Sequence, residues 1–115
     1  MSLPDFTKKQ AEKKLRGFCE SRVPPHVRNQ LNLSFNIRGN NITIVEDRAP
    51  WSKDRTEWTH MPIAQLRYDT DNATWKLYCK DRNEKWWLYE PFAPTKDIDK
   101  ILQEIDRDPT GIFWG

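Results

Sequence analysis

Apolar and polar residues alternate along this chain in two different periods, and the switch between them predicts the order of its elements. From Thr7 to Arg22, Ala11, Leu15, Phe18 and Cys19 recur at helical spacing against Lys8, Lys9, Glu12, Lys13 and Arg16, which predicts an amphipathic first helix. Pro24-Pro25 stops it. From Leu31 to Arg38 the period changes to two: Leu31, Leu33, Phe35 and Ile37 alternate with Asn32, Ser34, Asn36 and Arg38, as in a half-buried strand. Gly39-Asn40 then forms a two-residue turn that sets Ile37 opposite Ile42 and Phe35 opposite Ile44, so both strands turn their apolar residues to one face.

Residues 49 to 57 have a loop composition, and Trp58 to Tyr68 reads as a third strand in which Pro62 marks an edge or a bulge. Asp69 to Asn72 turns the chain into a strand over Ala73 to Lys80, and Asp81 to Glu84 turns it again into Lys85 to Glu90. Thr95 is placed to cap a second helix, whose stripe is Ile98, Ile101, Leu102 and Ile105 and which Pro109 ends. The expected fold is therefore α+β: a five-stranded antiparallel meander with an N-terminal and a C-terminal helix packed on the sheet. The apolar tail Ile112-Phe113-Trp114 is expected to dock on it as well.

At 115 residues the chain reads as one domain, 1 to 115, with residues 1 to 6 disordered or appended. The net charge of +2 names no partner by itself. The ends differ in sign: residues 1 to 28 hold seven basic and three acidic groups, residues 90 to 115 three basic and six acidic. Cys19 and Cys79 are far apart and outside any metal-ligand spacing, which points to free thiols and a cytoplasmic setting. No apolar run approaches the ~20 residues of a membrane span, so no membrane partner is expected.

Several segments resemble a small bacterial family of uncharacterised proteins, domain of unknown function 3024. The resemblance rests on Arg22-Val23-Pro24-Pro25-His26, on Val45-Glu46 with Arg48, Pro50 and Trp51, and on Pro62-Ile63-Ala64 with Leu66-Arg67-Tyr68. Trp75, Leu77-Tyr78, Asp81-Arg82-Asn83, Trp86 and the closing run Asp108 to Gly115 extend it. It implies a single domain and carries over no catalytic residue or cofactor.

Two constellations carry candidate chemistry. With a four-residue loop at Asp81 to Glu84, Lys80 faces Lys85, Tyr78 faces Trp87 and Lys76 faces Tyr89. Arg67 joins that side, while Leu66 lies opposite Trp75 and Ala64 opposite Leu77 on the other. Aromatics stack on bases and cations neutralise phosphates, so Arg67, Lys76, Tyr78, Lys80, Lys85, Trp87 and Tyr89 have the ingredients of a single-stranded nucleic-acid platform. Cross-strand packing under a helix accounts for the same pattern.

The second constellation is a polar pocket at the opposite end of the sheet from Gly39-Asn40, built from His26, Glu46, Arg48, Trp51 and Arg82. The alternation turns Glu46 inward, where it needs an arginine partner. Such a group binds an anion or performs acid–base chemistry, or it is an ion pair sealing the sheet. His26 and His60 lack a two-His ligand spacing, and no Gly-rich phosphate loop or nucleophile elbow occurs. No metal, cofactor or catalytic residue is expected. The functional expectation is a binding module for single-stranded nucleic acid. The alternatives are a protein-partner or homodimer module, and a small enzyme at the Glu46, Arg48, His26 end.

Overall fold

The computed structural model describes residues 3–114. Helix α1 (Asp5–Arg22) precedes a short 3-10 turn at Pro25–Val27, five strands and helix α2 (Ile98–Arg107). The strands are β1 (Leu31–Arg38), β2 (Asn41–Arg48), β3 (Thr59–Asp69), β4 (Thr74–Lys80) and β5 (Trp86–Leu88). They form one antiparallel sheet in sequence order, the expected meander. Both helices lie on the same face. Ala11 and Leu15 of α1 and Ile98, Ile101, Leu102 and Ile105 of α2 share one core with Ile42, Ile44, Ala64, Leu66, Trp75 and Leu77.

The first hairpin has the register that its alternation implies, with Phe35 opposite Ile44 and Ile37 opposite Ile42. Gly39 (φ 60°) supplies the left-handed residue of its turn. Between Ile44 and Val45 the β2–β3 register breaks, so that Val45 lies opposite Pro62 while Ile63 and Ala64 are both buried. Pro62 therefore marks a bulge, where a missing N–H is tolerated.

The other two hairpins depart from the expected registers in different ways. Leu66 lies opposite Leu77 and Ala64 opposite Cys79, two residues away from the expected pairing. A shift of two keeps every side chain on its face. The last hairpin slips by one, pairing Lys80 with Trp86, Cys79 with Trp87 and Tyr78 with Leu88, and this moves every β5 side chain to the other face. The cause is local. Glu84 adopts φ 64°, its N–H bonds to Asp81 O, and Asp81 N–H bonds to Lys85 O, so a three-residue turn with a left-handed residue replaces the four-residue loop.

Two expectations at the chain ends are corrected. Asp5 already starts α1 and Leu3 is buried in the core, so the described part of residues 1 to 6 is ordered; Met1 and Ser2 lie outside the described residues. The cap of α2 is Asp97, whose Oδ1 accepts from Asp99 N–H at 3.0 Å, while Thr95 bridges to Trp75.

While Ile112 stays 44% exposed, the tail docks through Phe113 and Trp114, on a lock built on Asp108. This residue ends α2 with φ 44°, and its carboxylate accepts from the backbone N–H groups of Phe113 (3.1 Å) and Trp114 (3.0 Å). Phe113 enters the core, and the Trp114 indole donates to Ile105 O at 2.7 Å. The Arg22 guanidinium lies 4.0 Å above the Trp114 ring and also bonds Asp106, joining the end of α1 to the end of α2.

Candidate functional site

Among the described residues both helices pack on one face of the sheet, and no helix covers the second. Its central ladder runs Thr43, Gln65, Tyr78 and Leu88 across β2 to β5, flanked by Asn41, Arg67 and Lys76 on one side and by Lys80 and Trp86 on the other. Period-two alternation puts these polar and aromatic residues here because their neighbours fill the core. They also hold one another in place. Gln65 donates to Thr43 Oγ1 at 3.0 Å, Arg67 Nε donates to Gln65 Oε1 at 2.7 Å, and the Arg67 guanidinium lies 3.9 Å from the centroid of the Tyr78 ring. Lys80 sits over Trp86 at 5.8 Å, with Glu84 3.9 Å from its ammonium. The acidic member of this face towards the other end is Asp47, buried, with His60 Nδ1 2.6 Å from its Oδ1.

Of the expected platform residues, the structure brings Arg67, Lys76, Tyr78 and Lys80 together on the open face. Lys85 is exposed in the turn before β5. The one-residue slip removes the other two. Tyr89 is 3% exposed in the core, its ring tilted against Phe113 with centroids 5.0 Å apart, and its hydroxyl donates to Glu104 Oε2 at 2.8 Å. Burial and that carboxylate both push its phenol pKa up. Trp87 stands on the helix side of the sheet at its edge, 58% exposed, with its indole N–H on Asp81 Oδ2 at 2.6 Å. The Lys85 backbone N–H, followed by this indole, holds Asp81 below the usual carboxylate range. Trp86 and Leu88 take their places, and the sequence contained one signal for the exchange: a polar Asp-x-Asn-Glu turn is able to add a left-handed residue.

The expected polar pocket assembles in part. A cavity of about 350 Å³ opens at the end of the sheet, bounded by Glu46, Arg48, Arg82, Met61, Phe113 and Trp114, and Lys80 reaches it from the open face. Glu46 is buried and accepts from Arg48 Nε at 2.5 Å, the arginine pairing its inward position requires. His26 lies outside this cavity, exposed in the turn after α1. Trp51 is also outside it, 83% exposed, with the Arg55 guanidinium 5.3 Å from its ring. Phe113 and Trp114 reach the cavity from the far end of the chain, a proximity no local pattern reveals.

Neither thiol is poised for nucleophilic work. Burial, reinforced by Asp47 and Glu20, pushes Cys19 up to about 11, and burial also raises Cys79. Both cysteines are unpaired. Among the described residues no group of His, Cys, Asp and Glu is arranged to hold a metal ion, and no helix is long and apolar enough to cross a membrane.

The model of the family described as "Domain of unknown function (DUF3024)" matches residues 3–115. The chain belongs to this family. No curated protein and no solved structure matches it significantly. Several residues that carry the DUF3024 resemblance thus have structural duties: Arg22, Asp108 and Trp114 form the lock at the chain ends, and Glu46 and Arg48 pair at the end of the sheet. Arg67 and Tyr78 lie on the open face.

Proposed function

We propose that this DUF3024 protein is a non-catalytic binding module whose open sheet face takes single-stranded nucleic acid, in a cytoplasmic setting in keeping with its free thiols. The observation that carries the reading is the Arg67–Tyr78 stack on an uncovered sheet, with Lys76, Lys80 and Trp86 around it. A base stacks on a ring or a guanidinium plane without regard to its identity, and the lysines meet the backbone. Gln65 and Thr43 fix the Arg67 head, so little side-chain freedom remains to be lost on binding.

A labelled oligothymidylate titrated at several salt concentrations tests it. Affinity should fall with salt at a log–log slope of ~0.7 per neutralised phosphate. Tyr78→Ala should weaken binding by about 1 to 3 kcal/mol while the protein stays folded. No binding at low salt, or binding indifferent to Tyr78, contradicts the proposal.

A protein-partner module is the second reading, supported by Leu88, 46% exposed beside Trp86 on the last strand. The small-enzyme reading has less behind it, since Glu46 is engaged with Arg48 and His26 stands apart from both.

A further inference from the structure

The sheet has two edges, and they are built differently. β5 is three residues long and runs into Pro91, so it offers little to pair with. β1 has eight residues without a proline or lysine, its pairing to β2 is unbroken, and its single charge, Arg38, stands at the end. It thus lacks the usual devices that protect an edge, and among the described residues its outer backbone groups have no partner strand. Phe35 and Ile37, at this border, are only partly covered by the core they pack against.

Helix α1 flanks the edge. One side of the helix faces α2, where Lys14 bonds Asp99 at 2.9 Å and Arg22 bonds Asp106. The other side looks over the β1 edge: Arg16, Cys19 and Glu20 line an open groove of about 320 Å³ with Asn32 to Phe35 and with Arg28, whose guanidinium is held by the Val23 and Glu20 carbonyls. On this flank Arg16, which also pairs with Glu12 at 3.4 Å, and Glu20 are one helical turn apart, and their signs are opposite.

We propose that the β1 edge is a homodimer interface in which β1 of a second copy pairs antiparallel with it, giving a continuous ten-stranded sheet. A two-fold axis through the middle of β1 makes the contact self-complementary. Strand pairing keeps the alternation, so Phe35 and Ile37 of both copies gain cover on the helix side. The same axis brings the two α1 helices side by side in opposite directions, so Arg16 of each copy meets Glu20 of the other. That reversed-charge match favours a second copy over an unrelated strand. The inference is independent of what the open face binds.

Analytical ultracentrifugation of the full chain, at loadings up to on the order of 100 μM, tests it together with charge reversals. The wild type should show a reversible monomer–dimer equilibrium. Arg16→Glu and Glu20→Arg, both at exposed helix positions, should each weaken the dimer about tenfold or more by placing like charges together. The double variant, which restores opposite signs in swapped positions, should recover it. A wild type that stays monomeric overturns the proposal and leaves the edge to an extended segment of another protein. A dimer that the single reversals leave unchanged overturns it too, since its interface then lies elsewhere.

Discussion

The two faces of one sheet share five strands and follow opposite rules. On the covered face Ile42, Ile44, Leu66, Trp75 and Leu77 lose their water to two helices, and the polar groups that enter have partners: Glu46 meets Arg48 and the Tyr89 hydroxyl meets Glu104. On the open face Thr43, Gln65, Arg67 and Tyr78 remain half exposed and are ordered by hydrogen bonds and ring contact. Rings are thus used in two ways. Tyr89 contributes buried area, whereas Tyr78 is half-buried and carries the Arg67 guanidinium on its ring.

The largest expected effect that could break this contrast is on stability. Tyr89→Ala should cost about 3 to 5 kcal/mol in denaturant unfolding, as for a large aromatic removed from a core. Tyr78→Ala should cost about 1 kcal/mol or less, the worth of an exposed cation–π contact. Equal losses from the two would remove the distinction between the faces.

Alkaline pH sharpens the contrast, because Cys19 is buried under the covered face. Its thiol ionises near 9.0 when exposed and is pushed up to about 11 in the fold. The folded state therefore favours the protonated thiol; its contribution is fully present below pH 9 and is lost as pH rises through 11. That loss should be on the order of 2 kcal/mol between these limits. Cys19→Ala should remove most of the slope, measured by urea unfolding from pH 8 to 11, although Tyr89 ionisation adds a residual decline.

A smaller effect is expected at the tail. Asp108→Ala frees two backbone N–H groups and puts a Cβ-bearing residue without a polar side chain at φ 44°, so about 1 to 2 kcal/mol should be lost. Asp108→Asn should recover part of that, since asparagine tolerates the left-handed region and retains one acceptor. Proteolysis of the last residues with trypsin or chymotrypsin, followed by mass spectrometry, would report the loosened tail.

The sequence was most informative where periodicity and turn chemistry agreed. Leu31 to Ile44 has a two-residue turn and strict alternation on both sides, which leaves one register that buries both apolar sets. Asp81 to Lys85 lacks such agreement. A polar tetrapeptide admits either a four-residue loop or a three-residue turn with a left-handed residue, and Trp86, Trp87, Leu88 and Tyr89 are large on both faces, so hydrophobicity does not choose between them. One residue of difference exchanges Trp87 and Tyr89 for Trp86 and Leu88 on the open face. The cavity was legible in Glu46, Arg48 and Arg82, the first two paired two residues apart on one strand. Phe113 and Trp114 join it through long-range docking. Arg67 was placed on the correct face, yet its stack on Tyr78 depends on the two-residue shift between β3 and β4, which alternation cannot detect.

The central claim, that the open face is the binding face, is tested most directly by side-chain and backbone NMR of isotope-labelled protein during titration with oligothymidylate. Perturbations should concentrate on Gln65, Arg67, Lys76, Tyr78, Lys80 and Trp86, with the Gln65 amide and Trp86 indole among the most affected, and the residues of α1 and α2 unchanged. Perturbations confined to the helix side, or to the cavity around Glu46 and Arg82, would contradict it.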